Sequence, residues 1–300
     1  IFGGLIAFGL VFGFLRGGSL NIALWESRAI FYLPLMMFLT SNLLKKPEHL
    51  SNLMWFVMAA LFIESANGFY YYFVGLKGDL TGVDAIAAHA AAVHINTYFI
   101  YLASVWIFRA SWTKRLVLPL MIPFFLITYI VMQRRSGFIT LAVAMIVLAI
   151  ILFIDNRKLF FMVVPVIGAV ALVYTVVFWN SSGALGIPAQ AIKSVVAADQ
   201  ASAEDQSSDL YRLIENYNSS FNIHNSPLLG SGFGNKIIFV IPLPDISDQF
   251  VFWEYILHNS IIWIWIKTGI FGFYSLLFLI GASIMAGVQA VLRLRNPDLK

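Results

Sequence analysis

YIVMQRRSGFITLAV, residues 129–143, sets two adjacent arginines between two apolar runs, with nothing acidic beside them. Apolar runs on both sides of a short charged hinge are the pattern of two membrane-spanning helices meeting at one face of a bilayer. The composition extends that reading to the whole chain. Of its 300 residues 60% are hydrophobic and 11% charged, against roughly 45–50% and about 25% in a soluble domain. With a mean hydropathy of +0.83, so much apolar surface exceeds what a core can bury. The expectation is an all-α fold, a polytopic integral membrane helix bundle with a large, partly helical loop on one side.

A span needs about 20 apolar residues. Candidate spans are 1–15, 22–44, 52–74, 86–108, 116–132, 137–154 and 159–178. A polar stretch then occupies 179–257, and a last apolar run covers 258–292. This gives about eight spans and a division into a bundle (1–178), a loop domain (179–257), and a final span with its tail (258–300). No internal repeat is visible. The chain opens inside an apolar run, so it reads as a piece of a longer protein. Trp and Tyr near the ends of several runs suit interfacial belts. The absence of cysteine excludes disulfides and thiolate metal sites.

Positive charge orients the bundle. With the polar stretch outside, the inner connections carry Lys45, Lys46, Arg109, Lys114, Arg115, Arg157, Lys158, Arg293, Arg295 and Lys300, ten of the nineteen Lys and Arg residues. Arg134 and Arg135 then fall on the outer face, where the rule disfavours them. They read either as lipid-phosphate anchors or as a site for an anion that arrives from the membrane.

The outer loop contains SSDLYRLIENYNSSF, residues 207–221. Ser207, Ser208 and Asp209 signal a helix start. Leu210, Leu213, Ile214, Tyr217 and Phe221 repeat at helical spacing. Arg212, Glu215, Asn216 and Ser219 share the other side. The expectation is an amphipathic helix with its apolar face on protein or lipid headgroups, and Arg212 either presented to a ligand or paired with Glu215. HNSPLLGSGFGNK (224–236) follows. Its Gly230, Gly232 and Gly234 form either a backbone nest for an anion or a tight turn. No strand–helix unit surrounds them, which excludes a dinucleotide fold.

The run 258–292 holds thirty-five residues, about 52 Å of helix against a core of ~30 Å. Either it kinks near Gly269 or its first turns stand above the lipid. In both cases His258 and Asn259 lie at the outer end, with Lys267 near the interface. The five histidines are His49, His89, His94, His224 and His258. His89 and His94 are five apart and do not share a helix face; without an HExxH or Asp-x-Asp motif no metal site is expected. Within the spans Glu64 reads as the clearest buried acid, and Glu26 and Arg28 lie near the outer end of theirs. A structural ion pair is the default for such charges.

MQRRSGFITL, SSDLYRLIENYNSSFNIHNSPLLGSGFG and HNSIIWIWIKTGIFGF occur in that order around the large loop. Together, over roughly residues 130–280, they resemble the O-antigen ligase and O-antigen polymerase superfamily of bacterial membrane glycosyltransferases. The resemblance implies a helical membrane fold whose periplasmic loop caps a lateral cavity. It implies transfer of a glycan from undecaprenyl diphosphate to an acceptor hydroxyl, with no metal, nucleotide or other cofactor. The acceptor is lipid A–core for ligases, another lipid-linked repeat for polymerases and a protein side chain for relatives. The implied setting is the bacterial inner membrane, with the active site facing the periplasm and the lipid bilayer, donor lipid and acceptor as partners; no nucleic acid is expected.

Position by position, the family's first arginine falls on Arg135 with Arg134 beside it, its loop arginine on Arg212 and its histidine on His258. Relatives often carry serine where this chain has Arg134. Arg135, Arg134 and Arg212 would bind the diphosphate, since guanidinium forks grip phosphate oxygens bidentately. His258 would take the acceptor proton, with inversion at the anomeric carbon, or hydrogen-bond the diphosphate. Asn259, Tyr211 and Glu215 are supporting residues, and Glu254 a further helper. The competing reading is a transporter or flippase, which predicts repeated halves with broken helices at mid-membrane. A purely structural or sensory role is the third.

Overall fold

The computed structural model describes residues 1–80, 91–132, 134–181, 183–197, 203–247 and 250–293. His89 lies outside them. Among the described residues there are eleven α-helices and no strand. Five helices are long and apolar enough to cross a bilayer, and a sixth crossing is formed if one bent pair counts as a single span. The two remaining predicted runs are the shorter apolar helices α1 (Phe2–Leu15) and α4 (Ala91–Ile107). The protein is therefore a polytopic helical membrane protein. Its residues form two compact units, one of Ile1–Lys45 and Ala203–Ala290, the other of Lys46–Ser202 and Val291–Lys300.

The first unit holds α1, α2 (Leu20–Leu43), α10 (Ala203–Asn225) and most of α11 (Ser260–Arg293). The glycine loop after α10 threads between α1 and α11. Phe233 is fully buried there beside Ile6, Trp263 and Ile266. Gly13 makes the approach possible, because a Cβ at that position would sit 2.1 Å from the Phe233 carbonyl oxygen. α11 breaks at Gly269 (φ 69°, ψ −172°), as its excess length suggested. The break exchanges hydrogen bonds with the loop. The Ile266 carbonyl would normally accept from Ile270 N–H; it accepts instead from Ser231 N–H at 2.7 Å, while Ile270 N–H donates to Pro227 O at 3.0 Å. Neither the Ile266 carbonyl nor the Ile270 N–H is orphaned by the kink.

The same exchange settles the glycine loop as a turn. The N–H groups of Gly230, Ser231, Gly232 and Phe233 donate to the carbonyls of Ser226, Ile266, Lys267 and Gly9. Gly234 N–H donates to Glu26 Oε2 at 2.5 Å. None of these donors is left for an anion nest. Glu26 also pairs with Lys267 at 2.8 Å, both side chains being fully buried, and Lys267 Nζ donates to Asn235 O at 2.6 Å. Within the spans Glu26, and not the half-buried Glu64, is thus the buried acid among the described residues. Its partner lies so far along the chain that spacing could not reveal it.

The second unit contains α3 (Pro47–Tyr70), a π-helical turn (Tyr71–Gly75), α4, α5 (Trp112–Leu120), α6 (Ile122–Val131), α7 (Arg135–Asp155), α8 (Arg157–Val177) and α9 (Ile187–Val196). The single run expected at 116–132 is instead the α5–α6 pair, bent by 45°. Pro119 and Pro123 flank the bend, and each removes a helical N–H donor. Tyr98 stacks on Phe125 with centroids 3.8 Å apart in the core. A buried polar chain crosses the same core. Tyr129 Oη donates to Asn96 Oδ1 at 2.6 Å, and Asn96 Nδ2 donates to Gly137 O and Thr140 Oγ1 at 3.1 and 2.8 Å. Interhelical hydrogen bonds of this kind fix register where the hydrophobic effect between helices is weak. Here they pin the first turns of α7. α8 buries no residue, as a lipid-facing helix should.

Candidate active site

α10 begins at Ala203, earlier than the expected start at Ser207–Asp209, and its amphipathicity is turned over. Glu215, Asn218, Ser219 and Asn222 are buried, whereas Leu210, Leu213, Tyr217 and Phe221 are exposed. The buried stripe is polar because it serves a backbone. Residues 238–241 belong to no helix or strand. Asn218 Oδ1 accepts from Val240 and Ile241 N–H, each at 2.9 Å, and its Nδ2 donates to Ile241 O at 2.9 Å. Asn222 accepts from Ile238 N–H at 3.0 Å and donates to Ile238 O at 2.8 Å. Two side-chain amides thus do what a neighbouring strand would do.

Glu215 continues the stripe one turn earlier. Its carboxylate accepts the backbone N–H of His258 (3.3 and 3.2 Å to Oε1 and Oε2), and Oε1 lies 3.0 Å from the ring Nδ1. The Glu215 side chain is 4% exposed and that of His258 is 52% exposed. The Tyr211 ring stands edge-on to the imidazole, centroids 5.5 Å apart. Burial, and secondarily the Glu215 charge, hold the Tyr211 phenol above its ordinary pKa, so it stays protonated at neutral pH. Asn259 caps α11, its Oδ1 accepting from Ile262 N–H at 3.2 Å. Glu254 is engaged by Lys236 at 2.6 Å, and that hydrogen bond raises the lysine pKa.

Tyr211, Glu215 and His258 are therefore brought into contact, with Asn259 adjacent in the chain. Arg212 is not part of that cluster. It lies on the exposed side of α10, 3.9 Å from Asp209, with 53% of its side chain open. The expected alternative, a pair with Glu215, is replaced by the Glu215–His258 contact. Arg134 and Arg135 belong to the other unit, where Arg134 is the N-cap of α7 and Arg135 its first residue. Two cations at the positive end of a helix macrodipole oppose each other and the dipole. Among the described residues no three His, Asp or Glu side chains gather as metal ligands.

A family model described as O-antigen ligase matches residues 120–277, just over half of the chain. The chain belongs to the O-antigen ligase family. The O-antigen ligase match spans α6 to the first part of α11 and includes every site residue named above. No significant match was found among the curated proteins or the solved structures. Within this O-antigen ligase region, sequence reasoning placed Glu215 beside Arg212 on one polar side. It missed that Glu215 belongs with Asn218 and Asn222, at i, i+3 and i+7, on a stripe of its own. That spacing was the available signal.

Proposed function

We propose that this protein is an inverting glycosyltransferase that moves a glycan from undecaprenyl diphosphate to an acceptor hydroxyl, without metal, at the periplasmic face of the bacterial inner membrane. Membership of the family supports the coarser statement, an O-antigen ligase- or polymerase-type enzyme of the membrane. The ligase reaction, with lipid A–core as acceptor, is the reading taken first.

The observation that carries the proposal is the state of His258. One ring nitrogen is engaged by a buried carboxylate and half the side chain is open, which leaves Nε2 as the nitrogen that can accept a proton. The acceptor oxygen attacks the anomeric carbon from the face opposite the diphosphate. Its bond to that carbon forms as the carbon–phosphate oxygen bond breaks, and the electron pair leaves with the diphosphate. The hydroxyl proton passes to His258 and then to water. General-base help of this kind is worth about 10²–10⁴ in rate.

Negative charge grows on the leaving diphosphate, and fixed cations there stabilise the transition state. Arg212 is the exposed guanidinium one helical turn before Glu215. Arg135, with Arg134 beside it at the start of α7, supplies guanidinium groups of the kind that grip phosphate oxygens bidentately. Tyr211 packs the imidazole, and Asn259 caps the start of the helix that follows His258.

The test is transfer in liposomes holding an undecaprenyl-diphosphate glycan and a panel of acceptors, with EDTA present. Wild type is expected to release free undecaprenyl diphosphate as glycan joins acceptor. His258→Ala should slow transfer at least ~10²-fold, and Arg135→Ala and Arg212→Ala each about 10²-fold. Transfer undiminished in all three variants overturns the site. Passage of the lipid between leaflets without transfer overturns the enzyme reading in favour of a flippase.

A further inference from the structure

The contact between Glu215 and His258 is more specific than a surface ion pair. A single carboxylate takes both the main-chain N–H and the ring Nδ1 of the same residue. The first bond fixes where residue 258 sits, and the second fixes how its ring turns. The carboxylate is itself buried and carried on a helix whose next turns are tied to residues 238–241 by Asn218 and Asn222. Glu215 can therefore move only if α10 moves.

We propose that Glu215 is the positioning residue of the transfer reaction, acting through His258 by holding the neutral ring with its proton on Nδ1 and its lone pair on Nε2. This rests on His258 being the base. A neutral imidazole has one donor and one acceptor nitrogen, and the hydrogen bond made by one decides the role of the other. A carboxylate can only accept, so Nδ1 must donate and Nε2 is left to receive the acceptor proton. Once the proton has transferred, the imidazolium lies 3.0 Å from a carboxylate oxygen, and the charge that forms is balanced where it forms. Glutamine in this place enforces neither: its amide can present oxygen or NH₂ to Nδ1, so the tautomer is no longer fixed, and it carries no charge.

The experiment is a double-mutant cycle in proteoliposomes. Glu215→Gln is expected to lower kcat by about 10–10²-fold, well short of the ~10⁴-fold that follows loss of the orienting carboxylate in a serine-protease triad. KM for the donor lipid should change by less than about threefold, because Glu215 is buried and acts through the ring. In the His258→Ala background the same substitution should change the residual rate by less than about threefold, since its effect passes through the ring. Equal losses in both backgrounds, or a Glu215→Gln enzyme with wild-type kcat, overturn the proposal. A His258→Ala enzyme with the wild-type rate overturns the base reading itself, and the positioning role with it. Solid-state ¹⁵N spectra of histidine-labelled wild type give a readout that needs no Glu215 variant. The signals absent from His258→Ala should show a protonated Nδ1 and a bare Nε2 in the neutral ring; the opposite tautomer overturns the proposal.

Discussion

Tyr211 shows how one residue's surroundings limit its chemistry. It touches the proposed base, and a phenol in that position could be taken for a second acid–base group. Burial and the neighbouring carboxylate, however, both favour the neutral phenol. A folded-state pKa above the unfolded value of about 10 means that stability is unaffected below that pH and falls as pH rises through the folded value. Tyr211→Phe should accordingly keep transfer within about threefold, with no change in the pH profile near neutrality; a pH–rate series on the two proteins checks this. The place of His258 at the head of a span was legible from run length. Glu215 was only half legible. A helical wheel groups polar with polar and assumes that the polar side faces water. In α10 that assumption fails, since the polar stripe is consumed by unpaired backbone and by His258, and the apolar stripe is the open one.

Glu26 and Lys267 join elements. The pair ties α2 to the first part of α11, and its remaining hydrogen bonds hold the glycine loop at Gly234 and Asn235. Removing one partner leaves the other buried and uncompensated, which typically costs ~3–5 kcal/mol. Lys267→Met and Glu26→Leu are each expected to cost about that much, whereas the double variant should recover most of the loss. Thermal unfolding in detergent, followed for the four proteins, measures the coupling. Of the elements, the long apolar helices could be read from run length, and a helix too long for one crossing left a break near Gly269 as one of two readings, the one the structure takes. The bend between α5 and α6 was also written in Pro119 and Pro123, but an unbroken apolar run hid it. The ion pair was not readable, because nothing local in either span names its partner.

At the scale of the molecule, the division into two units follows contacts and not chain order: the first and last helical stretches belong together. The predicted loop stretch contributes α9 to one unit and α10 to the other. Large apolar side chains are exposed along nearly every long helix, a surface that only lipid can cover at acceptable cost. α8 is the extreme case, with no buried residue and Val170 65% exposed. An arginine at Val170 would face hydrocarbon and cost ~2.5–3.5 kcal/mol on insertion scales. Val170→Arg should therefore reduce the membrane-integrated fraction in a glycosylation-tag insertion assay, while Val170→Leu should leave it unchanged.

The break in α11 bears on how the chain is made. Residues 270–290 carry no charge and give about 32 Å of helix, enough to cross a bilayer unaided. The translocon can therefore release this half to lipid without weighing Lys267 at all. The preceding half, residues 260–268, acquires its partners only when α2 and the glycine loop close around it. Integration and completion of the helix are thus expected to be separable steps in biosynthesis. The second is a tertiary assembly step, and a quality-control protease would meet the nascent protein with its lysine still uncovered.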